Sequence, residues 1–133
     1  MSSSECLVGG TVSVWHETFA IAQTKKTLGN AFAVIQGKTE ITVIMDQKAI
    51  PEDKVFQMDR DWKLISFDQV LPLQTIGFLA KVATALADSH ISVCAISAYS
   101  TDHILVKAHN LRPALRKLET LGFKIPQTEP SPL

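Results

Sequence analysis

Thr101 and Asp102 stand in a turn between two apolar, strand-like runs, residues 91–99 and 103–108. A carboxylate held there beside a hydroxyl is suited to grip a small cationic group through charge-assisted hydrogen bonds. Just upstream, Thr75-Ile76-Gly77 opens an amphipathic run. Backbone N–H groups in the first turn of a helix have no intrahelical partner and can receive an anion. One end for a cation and one for an anion point to a zwitterionic ligand. Ser97 joins the set as a further polar candidate.

Each of these residues also has an ordinary structural use. Gly77 within a helix costs roughly 1 kcal/mol relative to alanine, so either a ligand or a neighbouring strand comes close to the backbone there. Asp102 in a hairpin can close an Asx turn, and Thr101 and Ser97 can bond their own backbone. Glu40 on a predicted strand reads by itself as a solvated edge position. The four histidines, 16, 90, 103 and 109, show no H-x-x-x-H or H-E-x-x-H spacing, so the sequence carries no metal-site signal. Asp102 and His103 form an acid–base pair on paper only. Adjacent strand residues point to opposite faces and do not converge on one substrate atom.

The elements that position these residues are legible from residue 62 onward. Residues 62–69 read as a strand that Leu71-Pro72-Leu73-Gln74 breaks. Across residues 75–89, Ile76, Leu79, Val82, Ala83, Leu86 and Ala87 form one apolar helical stripe, with Thr75 as the expected N-cap. Residues 91–99 and 103–108 form a hairpin across Ser100-Thr101-Asp102. Asn110 offers the next N-cap, Pro113 fits a first turn, and Gly122 stops that helix before a closing strand at 123–125. The order is β-α-β-β-α-β, an α+β pattern with two helices on one face of an antiparallel sheet.

The first sixty residues are strand-rich. Residues 11–15 and 18–22 are β-like, and 31–36 and 40–45 flank a hairpin loop at Gly37-Lys38-Thr39. Thr24 to Asn30 is too short and polar for a helix, and one helical turn is expected near Pro51-Glu52-Asp53-Lys54. The predicted organisation is a degenerate first repeat over 11–60, a complete second repeat over 61–126 and a loose proline-rich tail over 127–133.

Composition narrows the function classes. The chain has 133 residues, is 46% apolar and has zero formal charge, enough apolar content for a core and no global field toward nucleic acid or an anionic membrane. Cys6 and Cys94 form no CxxC pair. The start lacks the basic and apolar regions of a signal peptide, and no apolar stretch is long enough to span a bilayer. The cytoplasm is the expected compartment, with no cofactor and no catalytic residue.

Trp62-Lys63-Leu64-Ile65, Ile76-Gly77-Phe78-Leu79-Ala80, Ala85-Leu86-Ala87, His90-Ile91-Ser92-Val93 and Ser97 through Val106 together resemble an ACT domain. More narrowly, the run from Ile96 to Val106 is similar to the I-S-x-x-x-T-D-x-I-L-V hairpin of small tandem-ACT proteins, the cytosolic arginine sensors of the CASTOR type among them. Thr39-Glu40-Ile41-Thr42-Val43 more weakly resembles a first-repeat strand of that group. The resemblance implies a ferredoxin-like ACT fold used as an amino-acid-binding regulatory module. It further implies pairing edge to edge as a homodimer, a regulated protein partner, and a ligand held between units. Carried to this sequence, it points to Ile76 and Gly77 for backbone contacts, to Thr101 and Asp102 for polar ones and, through the weaker first-repeat match, to Glu40.

Three other functions compete. A constitutive dimeric interaction module would use the same sheet edges without a ligand. An RNA-recognition platform shares the element order, but residues 91–98 and 104–106 carry no aromatic ring and the chain is neutral. A small enzyme built on Asp102 and His103 meets the geometric objection above.

Overall fold

The computed structural model describes residues 10–68 and 77–125. Their order is β1 (Val12–Thr24), β2 (Ala33–Gln36), β3 (Ile41–Asp46), β4 (Val55–Phe67), α1 (Phe78–Asp88), β5 (Cys94–Ser97), β6 (Asp102–Lys107) and α2 (Leu111–Thr120), with 3-10 turns at Glu52–Lys54 and Ala108–Asn110. Two compact units emerge, one from Met1–His16 with Lys63–Leu133 and one from Glu17–Trp62. The chain passes from one to the other inside β1 and again inside β4, since each of these strands is 13 residues long. The expected repeats over 11–60 and 61–126 divide the chain at other points, and the 127–133 tail lies outside the described residues.

In the helix-bearing unit the strand order is β1-β4-β6-β5. β5 and β6 pair antiparallel with Cys94 opposite Leu105, Ile96 opposite His103 and Ser97 opposite Asp102. Strand alternation sends Val12, Val14, Ile65, Phe67, Ile104 and Val106 to one face. There they pack with Phe78, Val82 and Leu86 of α1 and Ala114 and Leu118 of α2. These helix residues recur every four positions, which turns one stripe of each helix to the sheet. Phe67, Phe78 and Phe123 form an aromatic triangle with ring centroids 5.1 to 6.1 Å apart.

Both helices close in similar ways. After α1, Ile91 N–H reaches the Leu86 carbonyl while His90 takes the left-handed conformation at φ 61°. After α2, Phe123 N–H reaches Leu118 with Gly122 at φ 99°, as the glycine there leads one to expect. The starts differ from expectation. α1 begins at Phe78 with Gly77 at the N-cap, φ 79° and ψ 2°, and not with Thr75, which lies outside the described residues. Asn110 holds the N-cap position of α2 but makes no side-chain cap bond, because the 3-10 turn runs straight into the helix.

The closing strand at 123–125 is reduced to a single parallel bridge between Thr11 and Lys124. Its place beside β4 is taken by the start of β1, whose Val12 and Val14 supply the core residues that such a strand would bring.

In the other unit the order is β2-β3-β1-β4, with β3 antiparallel to both β1 and β2. The β2–β3 hairpin closes through Gly37 N–H to the Glu40 carbonyl at 2.8 Å. Ala20, Ala22, Val43, Met45 and Ile50 form its core. The two expected strands at 11–15 and 18–22 are one continuous strand, and β4 starts at Val55, seven residues before Trp62. Asp61 interrupts the polar stretch Asp59-Arg60-Asp61 at φ 69°, with its N–H held by the Gln47 side chain at 2.8 Å. Hydrogen bonding to neighbouring strands thus overrides the polar composition of this segment.

Candidate functional site

The β5–β6 hairpin turns through Tyr99 and Ser100, with Ala98 N–H donating to the Thr101 carbonyl at 2.8 Å. Tyr99 at the tip is 82% exposed. Asp102 is half-buried as the first residue of β6, and its register partner Ser97 is exposed. Paired residues of a ladder share a face, so Ser97 and Asp102 lie together. Asp102 has the parity of Ile104 and Val106 and therefore belongs to the face that the helices cover.

Thr101 lies on the opposite side. Its Oγ1 is 3.2 Å from His103 Nε2, His103 Nδ1 is 2.7 Å from Ser66 Oγ, and the Trp15 indole N–H donates to Ser66 Oγ at 2.7 Å. The register thus brings Ser97 to Asp102 and parts both from the Thr101 hydroxyl. Near this row, Ser13 Oγ donates to the Asp68 carboxylate. Burial pushes the His103 imidazole below the ordinary histidine value, against the upward pull of Asp102 and then Asp68. Burial also raises the Cys94 thiol, which is not in a disulfide.

Gly77 stands where the chain enters α1, one residue before Phe78, which packs edge-on against Phe67 at 5.4 Å. No side chain caps this helix start. The left-handed backbone there explains the glycine, since an L side chain in that conformation costs about 1–2 kcal/mol. Gly77→Ala is accordingly expected to lower stability by about 1 kcal/mol, read from a urea-denaturation midpoint. Ile76 lies outside the described residues.

Glu40 belongs to the other unit, at the end of the hairpin loop just before β3 and not on the strand. Its Oε1 accepts from Gln23 Nε2 at 3.5 Å, and Gln23 Oε1 accepts from Gln57 Nε2 at 3.4 Å. This row lines an open groove of about 620 Å³ with Thr42, Asp59 and Arg60. Among the described residues, no three histidine, cysteine, aspartate or glutamate side chains converge on a point that could hold a metal. No helix among them is long and apolar enough to cross a membrane.

Sequence reasoning missed Ser66 and Trp15. Trp15 reads as a core or interface residue, yet its N–H opens the polar row to His103. No spacing signal announces it, because the members come from three strands.

No curated protein matches the chain. A protein from Agrobacterium tumefaciens superposes with a TM-score of 0.76 at 18% identity, covering 92% of this chain and 97% of that one. A Vibrio cholerae protein of unknown function, described as a possible transport protein, gives 0.73 at 21% identity over 87% and 93%. The regulatory subunit of aspartate kinase from Thermus thermophilus, in ligand-free form, gives 0.64 at 14% identity over 86% and 97%. At these identities the likeness is one of fold. Residues 57–120, which hold most of β4 and all of α1, the β5–β6 hairpin and α2, match the family model of the ACT domain, and the fold is the α+β, ferredoxin-like fold of ACT regulatory domains.

Proposed function

We propose that this chain is a non-catalytic regulatory module that binds a free amino acid, in the manner of small tandem-ACT proteins of the CASTOR type. The observation that carries the reading is the Ser97–Asp102 pair, a half-buried carboxylate at the head of β6 on the sheet face that α1 covers. Asp102 takes the ligand's ammonium group, and backbone N–H groups following Ile76 and Gly77 take its carboxylate. Thr101 adds a hydroxyl from the other side of the strand. Glu40 is the first repeat's contribution, and the ligand sits between repeats or subunits of a cytoplasmic homodimer that acts on a protein partner. The likeness to a kinase regulatory subunit supports a role in control rather than in chemistry.

A ligand of about ten heavy atoms binds here with a Kd on the order of micromolar to submillimolar. A thermal-denaturation screen against the twenty common amino acids tests the reading. At about 100 times its Kd, a true ligand adds about 2.7 kcal/mol and raises the midpoint by several degrees. No shift from any of them contradicts the reading.

The edge strand β2 favours one alternative, since Val34 and Ile35 on it are 40% and 58% exposed. A constitutive dimer through this edge predicts the same sedimentation coefficient with and without amino acids.

A further inference from the structure

We propose that the β2-β3-β1-β4 unit carries a separate binding site for a nucleotide, whose base stacks on Phe56 and whose phosphate is held by Lys25 and Lys38. The site lies in a different unit from Asp102 and does not rest on the amino-acid reading, with which it shares Glu40 alone.

Strand order brings the parts together. β1 lies between β3 and β4, and Thr24 at its end pairs with Ile41 at the start of β3. The β2–β3 hairpin closes at that same end through Gly37 N–H to the Glu40 carbonyl at 2.8 Å, which sets Lys38 at its tip. On the other flank, Lys25 N–H donates to the Lys54 carbonyl at 2.9 Å. The residue after β1 is thereby tied to the start of β4, where Phe56 stands. Lys25, Lys38, Glu40 and Phe56 line a recess of about 280 Å³, which shares Gln23 and Glu40 with the open groove of about 620 Å³.

Phe56 is a ring that packing does not explain. It is 63% exposed and stands outside the core of this unit. An exposed ring at the wall of a recess is a platform for a flat partner, and every nucleobase offers a π-face to stack on it. Lys25 Nζ lies 5.8 Å from the centre of that ring, so a cation and a π-face are presented together. Among the described residues, neither Lys25 nor Lys38 is in an ion pair with a carboxylate. Two ammonium groups on one recess fit the oxygens of a phosphate. Glu40 supplies the opposite polarity. Its Oε1 accepts from Gln23 Nε2 at 3.5 Å, which leaves the other carboxylate oxygen to accept from the N–H edge of a base. That charge disfavours an anion that brings no donor, and so separates a nucleotide from an aromatic carboxylate.

Isothermal titration calorimetry of the full chain with the common ribonucleoside monophosphates tests the proposal. The expected Kd is on the order of tens of micromolar to submillimolar, and it weakens as salt is raised. The matching nucleosides, inorganic phosphate and benzoate each lack one of the contacts, and each should bind at least about tenfold more weakly. Phe56→Ala should weaken nucleotide binding about tenfold, whereas Phe56→Trp keeps or tightens it. Lys25→Gln combined with Lys38→Gln should weaken it about 100-fold. All three side chains are exposed, so these variants keep the fold. No saturable heat from any monophosphate, with the protein shown to be folded by circular dichroism, overturns the proposal. Unchanged affinity in Phe56→Ala overturns it too, because the nucleotide then binds elsewhere. Inorganic phosphate or benzoate binding as tightly as the monophosphates overturns the nucleotide assignment and reduces the recess to a site for any anion. None of these results bears on Asp102 and the amino-acid reading.

Discussion

Phe67→Ala lowers the free energy of unfolding by about 3–5 kcal/mol. Phe67 is fully buried at the end of β4 and meets Phe78 at 5.4 Å and Phe123 at 5.1 Å between ring centroids. Alanine there removes the ring that joins the sheet to the start of α1 and to the segment after α2. The surrounding phenylalanines are fixed by their own elements, so the cavity collapses only in part and the loss exceeds simple transfer. With total stability of a small domain near 5–15 kcal/mol, the change takes up a large share of it. Guanidinium denaturation followed by circular dichroism measures it. A loss below about 1 kcal/mol would contradict the central place of Phe67 in this core.

The second large effect concerns binding. Asp102→Ala is expected to weaken amino-acid affinity by about 10- to 100-fold, the equivalent of 1.5–3 kcal/mol for a charged hydrogen bond, while the fold stays intact. The residue stands at the end of the β5–β6 ladder, outside the core cluster, so its removal opens no cavity there. Asp102→Asn keeps the shape and loses the charge, and should weaken binding to a similar degree. Unchanged affinity in both variants reduces Asp102 to a residue that shapes the hairpin.

Local pattern carried much of this fold. The stripe of Val82 and Leu86 and the stop at Gly122 are readable because a helix repeats its face every three or four residues. The β5–β6 hairpin is readable because small and β-branched residues flank a polar turn. The continuity of β1 through His16 and Glu17 is not, since polar residues at its middle mimic a loop. Nor does periodicity disclose that β1 takes the sheet position expected for the residues near Lys124. That choice is made by long-range packing of Val12 and Val14.

The candidate site was legible in part for the same reason. Alternation along β6 sets Asp102 and His103 on opposite faces, and a sequence reader can see this. The row from Trp15 through Ser66 to His103 joins residues 51 and 37 positions apart and leaves no local signal. Thr101 therefore reads as a partner of Asp102 in sequence and emerges as a partner of His103 in three dimensions.

Isothermal titration calorimetry of the full chain against each of the twenty common amino acids, at neutral pH, tests the central claim most directly. Saturable heat from at least one of them, with a Kd on the order of micromolar to submillimolar, is the predicted result. No heat from any of them, with the protein shown to be folded by circular dichroism, contradicts it.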